Sequence, residues 1–291
     1  MKYGTYQLGN KTSACAILGT HAYDLAQAFF KHYRRPYKFV DLLAFLQAGG
    51  AEKLAEVELG RMKEDKTVAL PLKEVRLRAP ILRPPKIVCV GLNYRDHAME
   101  QKKEPPAAPL LFSKAANVVI GDGDAIRIPA GISDKVDYEV ELGVVIGRPA
   151  FQVKRADALS HVFGYTVFND VTARDIQQGD KQWFRGKSFD TFAPMGPVIV
   201  GADELKPDRL MIELHVNSRR QQHGTTADMI FDVASIIEYA SACFPLEVGD
   251  VIATGTPSGV GVFRNPPVFL KKGDVVEARI EGIGVLRNPV E

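Results

Sequence analysis

The spacing of apolar positions divides the chain near residue 80. Before that point, Lys2 to Gln7 and Ser13 to Leu18 flank Gly9-Asn10, a turn signal, and predict a hairpin. Helical spacing follows over Ala22 to His32, Val40 to Gln47 and Ala51 to Lys63, with Gly49-Gly50 separating the last two. Pro80, Pro84 and Pro85 then interrupt any regular element, and the strongly apolar PKIVCVG begins. The division predicts a small N-terminal α+β domain over residues 1–80 and a larger domain over residues 81–291. In the larger part short strands dominate: Asp137 to Gly147, Val162 to Asp170, Pro197 to Val200, Leu210 to Asn217, Val248 to Thr254, Val275 to Ile280 and Gly284 to Arg287. Only Arg95 to Lys103 and Asp232 to Cys243 read as helices there. In the second, Asp232 is placed to cap a face of Val233, Ile236, Ile237 and Ala240. The fold class is therefore α+β and β-rich, a mixed β-sandwich or roll rather than alternating βαβ units. LEVGDVI (246–252) echoes LKKGDVV (270–276), which predicts two similar turns at one end of a sheet.

Val136 to Gly147, VDYEVELGVVIG, carries the chemistry. Its alternation puts Tyr138, Val140, Leu142 and Val144 on one face and Asp137, Glu139, Glu141 and Gly143 on the other. Same-face neighbours on a strand lie roughly 6 to 7 Å apart, a spacing at which two carboxylates converge on one cation. The plain alternative is a polar face meeting water. Against it, GVVIG is apolar on both faces, which suggests a covered sheet. Carboxylates buried side by side repel, and a divalent cation relieves them. Asp170 closes the run FGYTVFND and is placed either to cap a helix over Val171 to Gln177 or to complete an oxygen-only site. Such a site suits Mg²⁺ or Mn²⁺; without nearby His or Cys it does not suit zinc.

Composition and charge mainly exclude. The 37 Lys and Arg nearly balance 35 Asp and Glu, and no basic arm or block marks a nucleic-acid partner. No apolar run approaches a membrane span, and the N-terminus lacks a signal-peptide core, so no membrane partner and a cytoplasmic location are expected. The three cysteines, Cys15, Cys89 and Cys243, are too far apart for a disulfide framework or a structural zinc site and read as buried, inert thiols. Neither GxGxxG after a strand nor GxxxxGK[ST] occurs, so nucleotide binding has no motif behind it.

Several ordered motifs together resemble the fumarylacetoacetate hydrolase family. They are VGLNYRDHAMEQ (90–101), DYEVELGVVIG (137–147), GYTVFNDVTARDIQ (164–177), KQWFRGKSFDTFAPMGP (181–197), VNSRRQQHGTTADMIF (216–231) and GDVIATGTPSGVG (249–261). The resemblance covers roughly residues 84–287 and implies a β-rich roll in a homodimer, with a Mg²⁺, Mn²⁺ or Ca²⁺ ion. It assigns the metal to Glu139, Glu141 and Asp170, and an acid–base pair to His97 and Glu100, whose i,i+3 spacing lets the carboxylate hold the imidazole. Lys187, flanked by Trp183, Phe184 and Phe189, matches a lysine that reaches substrate. Arg174, Gln177, Gly255 and Thr256 match substrate-binding positions, and Lys114 is a further cavity candidate.

The resemblance implies a small 2-oxo acid substrate. Its leading expectation is metal-dependent hydrolysis of a C–C bond in a 2,4-dioxo acid, releasing pyruvate or a related 2-oxo acid. There His97 would activate water and Lys187 would stabilise the oxyanion. Asn93 to Pro109 is placed to act as a lid. Oxaloacetate-type decarboxylation and hydroxymuconate-type isomerisation use the same site without an attacking water. A non-catalytic metal-binding scaffold is the alternative from outside enzymology.

Overall fold

A computed structural model describes residues 1–291. Its backbone is organised by one mixed twelve-stranded sheet. Along the sheet the strands run Ala69–Pro71, His21–Asp24, Lys11–Leu18, Lys2–Leu8, Ala193–Gly201, Val162–Asn169, Val140–Ile146, Val251–Ala253, Ile87–Gly91 and Leu110–Lys114, with Arg76–Leu77 and Val119–Ile120 paired beside this path. A four-stranded antiparallel sheet of Arg219–Thr225, Met211–Val216, Val275–Ile280 and Gly284–Pro289 packs against it. This is the strand-rich α+β class that the pattern predicts. No helix is long and apolar enough to cross a membrane.

Alternation along the central strands explains the layering. Val140, Leu142, Val144 and Ile146 face one buried cluster, shared with the four-stranded sheet and the helix Val233–Cys243. Val145 and Phe168 face a second cluster, which also takes Phe29, Phe39, Leu42 and Phe45 from the leading segment. With both faces covered, the strand Val140–Ile146 is buried throughout, as its apolar run predicts. The leading segment is joined to the rest by main-chain pairing, with Lys2 opposite Val200 and Tyr3 opposite Ile199.

Several elements differ from their predicted form. Ala22 to His32 is not one helix. His21–Asp24 pairs as a strand with Lys11–Leu18, and Asp24 then caps the helix Leu25–Tyr33 by accepting from Gln27 N–H. Ala51 to Lys63 breaks into the helix Gly50–Lys53 and two 3₁₀ turns. The single strand predicted over Asp137 to Gly147 is two, Val136–Asp137 and Val140–Ile146, because the first pairs with Thr172–Ala173 instead of with the large sheet. Arg219–Thr225 is a strand that its polar RRQQHGT text does not announce; as the edge of its sheet it needs no second apolar face. The helix weighed over Val171 to Gln177 begins later, as Arg174–Asp180, because Thr172–Ala173 pairs as a strand, and Trp183–Lys187 lies where no helix is legible, being too short to display periodicity.

The echoed turns are locally alike, but they serve different sheets and not one. Gly249 and Gly273 both adopt positive φ (90° and 91°), and Asp250 and Asp274 each accept from the backbone N–H three residues earlier. The first then feeds Val251–Ala253 in the large sheet, the second Val275–Ile280 in the small one. Among the cysteines, Cys15 and Cys89 are buried as expected, whereas Cys243 is exposed at the end of its helix.

Candidate active site

Strand register brings the three carboxylates together. Val140 pairs with Asn169 and Glu141 with Phe168, so Asp170 leaves its strand beside Glu139, whose carbonyl accepts from Asp170 N–H at 2.8 Å. One carboxylate oxygen from each of Glu139, Glu141 and Asp170 lies within 4.8 Å of the others, and all three residues are buried. Asp170 caps no helix; the helix begins four residues later, at Arg174.

Three cations interlock with these acids. Lys187 Nζ donates to Glu139 Oε2 at 2.8 Å, Asp170 Oδ2 at 2.5 Å and Thr172 Oγ1 at 2.9 Å. Lys114 Nζ holds the other oxygen of Asp170 at 2.5 Å and the Val171 carbonyl at 2.9 Å. Arg174 donates from Nη2 to Glu139 Oε1 at 2.6 Å, from Nε to Asp137 Oδ2 at 2.8 Å and from Nη1 to Gln177 Oε1 at 3.1 Å. Glu141 has no such partner. Its one hydrogen bond comes from Gly255 N–H at 2.8 Å.

The electrostatics separate the two glutamates. Burial alone would raise the Glu139 carboxyl, but Arg174 and Lys187 outweigh it and hold the group well below the usual carboxylate range. Burial, then the charges of Asp170 and Glu139, push the Glu141 carboxyl well above its ordinary value. Lys187 pays for burial with stronger attraction to Asp170 and Glu139, so its pKa rises and it stays an ammonium. Lys114 shifts down, because its burial and the neighbouring Lys187 charge outweigh the attraction of Asp170.

The residues fit a divalent ion on their own chemistry. They offer three converging oxygen donors and no nitrogen or sulfur, and Glu141 forms no ion pair with any of the surrounding cations.

Opposite the acids stands the helix Arg95–Glu100. His97 Nδ1 lies 3.0 Å from Glu100 Oε2, and His97 Nε2 lies 2.8 Å from Gln101 Nε2. With the Nδ1 proton donated to the carboxylate, the Nε2 lone pair accepts from the Gln101 amide; this tautomer follows from the partners. Glu100 Oε1 accepts from Gly259 N–H at 2.9 Å, and Asp96 accepts from the N–H and hydroxyl of Ser258. The helix is thereby tied to the loop Gly255 to Gly261. Gly255 allows that loop its path: φ is 97°, and a Cβ would lie 2.7 Å from that of Asn93.

His97, Glu139, Glu141, Arg174, Gln177, Lys187 and Thr256 line one cavity of about 260 Å³. Of the other sequence candidates, Glu100 acts from behind His97, and Gly255 gives its N–H to Glu141. Lys114 lies behind Asp170 and does not line the cavity. Phe112, not Phe184, covers Lys187, with Nζ 5.0 Å from the ring centroid; Phe184 is half exposed at 52%. The sequence reading missed three groups here. Asp137 anchors Arg174 and accepts from Gly261 and Val262 N–H. Gln222 bridges Val140 N–H and Thr256, and Gln101 occupies His97. The alternation of the sequence sets Asp137 in line with Glu139 and Glu141, a signal that was available although the structure places Asp137 in a separate short strand; Gln222 has none.

An oxygen-donor site beside a histidine–glutamate pair, on a β-rich fold, has the make-up of a metal-assisted enzyme. The family described as "Fumarylacetoacetate (FAA) hydrolase C-terminal" matches residues 86–291, and the chain belongs to it. It is an enzyme of that family. The chain is 48% identical over 223 residues to the oxaloacetate tautomerase YisK of Bacillus subtilis, covering 75% of this chain and 74% of that one. It is 49% identical over 224 residues to the mitochondrial oxaloacetate tautomerase FAHD2A of Homo sapiens, covering 76% and 71%. Among solved structures it resembles a fumarylacetoacetate hydrolase from Exiguobacterium antarcticum (39% identity, TM-score 0.86, 100% and 99% covered). It also resembles a 2-hydroxyhepta-2,4-diene-1,7-dioate isomerase from Mycobacterium marinum (36%, 0.77, 100% and 98%). These relatives favour the isomerase and oxaloacetate alternatives over the C–C hydrolysis put first from the sequence.

Proposed function

We propose that the chain is a divalent-metal-dependent tautomerase interconverting the keto and enol forms of oxaloacetate or a closely similar 2-oxo acid. The observation that carries this reading is the 48–49% identity, over three quarters of the chain, to proteins named oxaloacetate tautomerases. The cavity supports it by placing one proton-transfer group beside an oxo-acid anchor, which is all that tautomerisation needs. Mg²⁺ or Mn²⁺ held by Glu139, Glu141 and Asp170 would supply a Lewis acid for the substrate's carboxylate and C2 oxygen.

The remaining roles belong to the chain. Nε2 of His97 takes a proton from C3, while Glu100 fixes the ring and stabilises the imidazolium that forms. Gln101 swings aside from Nε2 to let the substrate in. Negative charge then gathers on the C2 oxygen, which the imidazolium reprotonates to give the enol; the reverse sequence returns the ketone. Lys187, held charged by its two carboxylates, acts by field and not as an acid. Arg174 and Gln177 line the wall where the substrate is oriented. A homodimer is part of the same proposal.

The test follows the ultraviolet absorbance of enol-oxaloacetate with Mg²⁺ present. The wild-type chain accelerates its decay, and His97→Ala lowers kcat by roughly 10²- to 10⁴-fold with metal affinity intact. Pyruvate release from 2,4-dioxo acids, without acceleration of the oxaloacetate equilibrium, would restore hydrolysis as the function.

A further inference from the structure

The cavity's cations are unequally committed. Lys103, Arg174 and Lys187 line it. Arg174 is held by Asp137 and Glu139, and Lys187 by Glu139 and Asp170. Lys103 has no ion pair and no side-chain hydrogen bond, although its backbone is fixed by donation from its N–H to the Ala98 carbonyl at 3.0 Å. It stands at the exposed mouth, two residues beyond Gln101, on the segment that carries His97.

Charge balance gives that lysine a task. The buried cluster holds four carboxylates, of Asp137, Glu139, Glu141 and Asp170, against the three cations Lys114, Arg174 and Lys187. A divalent ion turns its single net negative charge into a single positive one, which balances one substrate carboxylate. A second carboxylate meets no uncommitted charge deep in the cavity, and only Lys103 at the mouth remains for it. Resting on the reading of the site as one for 2-oxo acids, we propose that Lys103 is a specificity residue. It receives the distal carboxylate and selects four-carbon dicarboxylates over 2-oxo monocarboxylates.

The experiment uses the full chain loaded with Mg²⁺ and two ligands that do not react: malate and 2-hydroxybutyrate. Both have four carbons and a 2-hydroxy acid head, and they differ in the terminal carboxylate. Calorimetry on the wild type gives tighter binding of malate. Lys103→Ala weakens malate roughly tenfold, the scale of one charge-assisted hydrogen bond at a partly exposed site, and leaves 2-hydroxybutyrate unchanged. Lys103→Glu weakens malate further, and Lys103→Arg retains the preference. KM for oxaloacetate rises in Lys103→Ala while kcat holds. The inference falls if the wild type shows no preference, if malate binding survives in Lys103→Glu, or if both ligands weaken equally in Lys103→Ala. If malate selectivity follows Lys103 while oxaloacetate is not turned over, the reaction reading fails and the assignment of Lys103 stands.

Discussion

Glu141 and Glu139 are two residues apart and equally buried, yet the tertiary environment gives them opposite acidities. Arg174 and Lys187 both bond Glu139, whereas Glu141 has one backbone N–H and two neighbouring negative charges. Glu141→Gln removes a repelling charge from the metal-free protein and a donor from the metal site. Its melting temperature without metal therefore stays at or above that of the wild type. On the proposed site, Mg²⁺ raises the melting temperature of the wild type by mass action and leaves that of the variant unmoved. Differential scanning fluorimetry with and without Mg²⁺ checks both halves; an equal metal-induced rise in the two proteins would remove Glu141 from the site. Burial and the charges of Asp170 and Glu139 raise the Glu141 pKa, and a carboxyl must give up its proton to hold a cation, so metal affinity weakens as pH falls.

Among elements, the hairpin Met211–Val216 with Arg219–Thr225 shows how pairing creates charge clusters that its text does not display. Register sets Glu213 opposite His223, with His215 on the same face and Arg220 nearby. Burial would raise the Glu213 carboxyl, but hydrogen bonds from His215, His223 and Arg220 outweigh it, and the pKa lies below its ordinary 4.5. A depressed carboxylate adds stability above its unfolded pKa, and that stability is lost as pH falls through the folded value. Glu213→Gln therefore melts a few degrees lower at pH 7, for about 1 kcal/mol of lost hydrogen bonding. The gap closes as pH falls below the ordinary carboxylate range and through the lowered folded pKa; a gap that persists in acid would mean that packing, not charge, is responsible. The short helices Arg174–Asp180 and Trp183–Lys187 make the same point for the site: they aim Arg174 and Lys187 at Glu139, although neither is long enough to display periodicity.

For the whole molecule, the large sheet runs without a break from the leading segment to the strands that carry the site. Phe29, Phe39, Leu42 and Phe45 share a core with Met195, Ile199, Val145 and Phe168. A chain cut to residues 81–291 exposes that face and the edge of Ala193–Gly201, an open template for aggregation. We expect it to be insoluble, or to melt far below the full chain. A soluble fragment with full activity would instead show that residues 1–80 form an independent domain.

The hairpin across Gly9-Asn10, the Asp232-capped helix and the carboxylate face of residues 137–143 were legible in the sequence, because turn chemistry, capping and alternation act over a few residues. The ordered motifs added the family. Tertiary structure alone decided that Asp170 meets Glu139 and not a helix terminus, that Lys114 stands behind the site and Phe184 outside it, and that Lys103 is the one lining cation left without a partner. Each of these depends on register and packing between segments tens of residues apart, and the pattern within either segment does not encode that pairing.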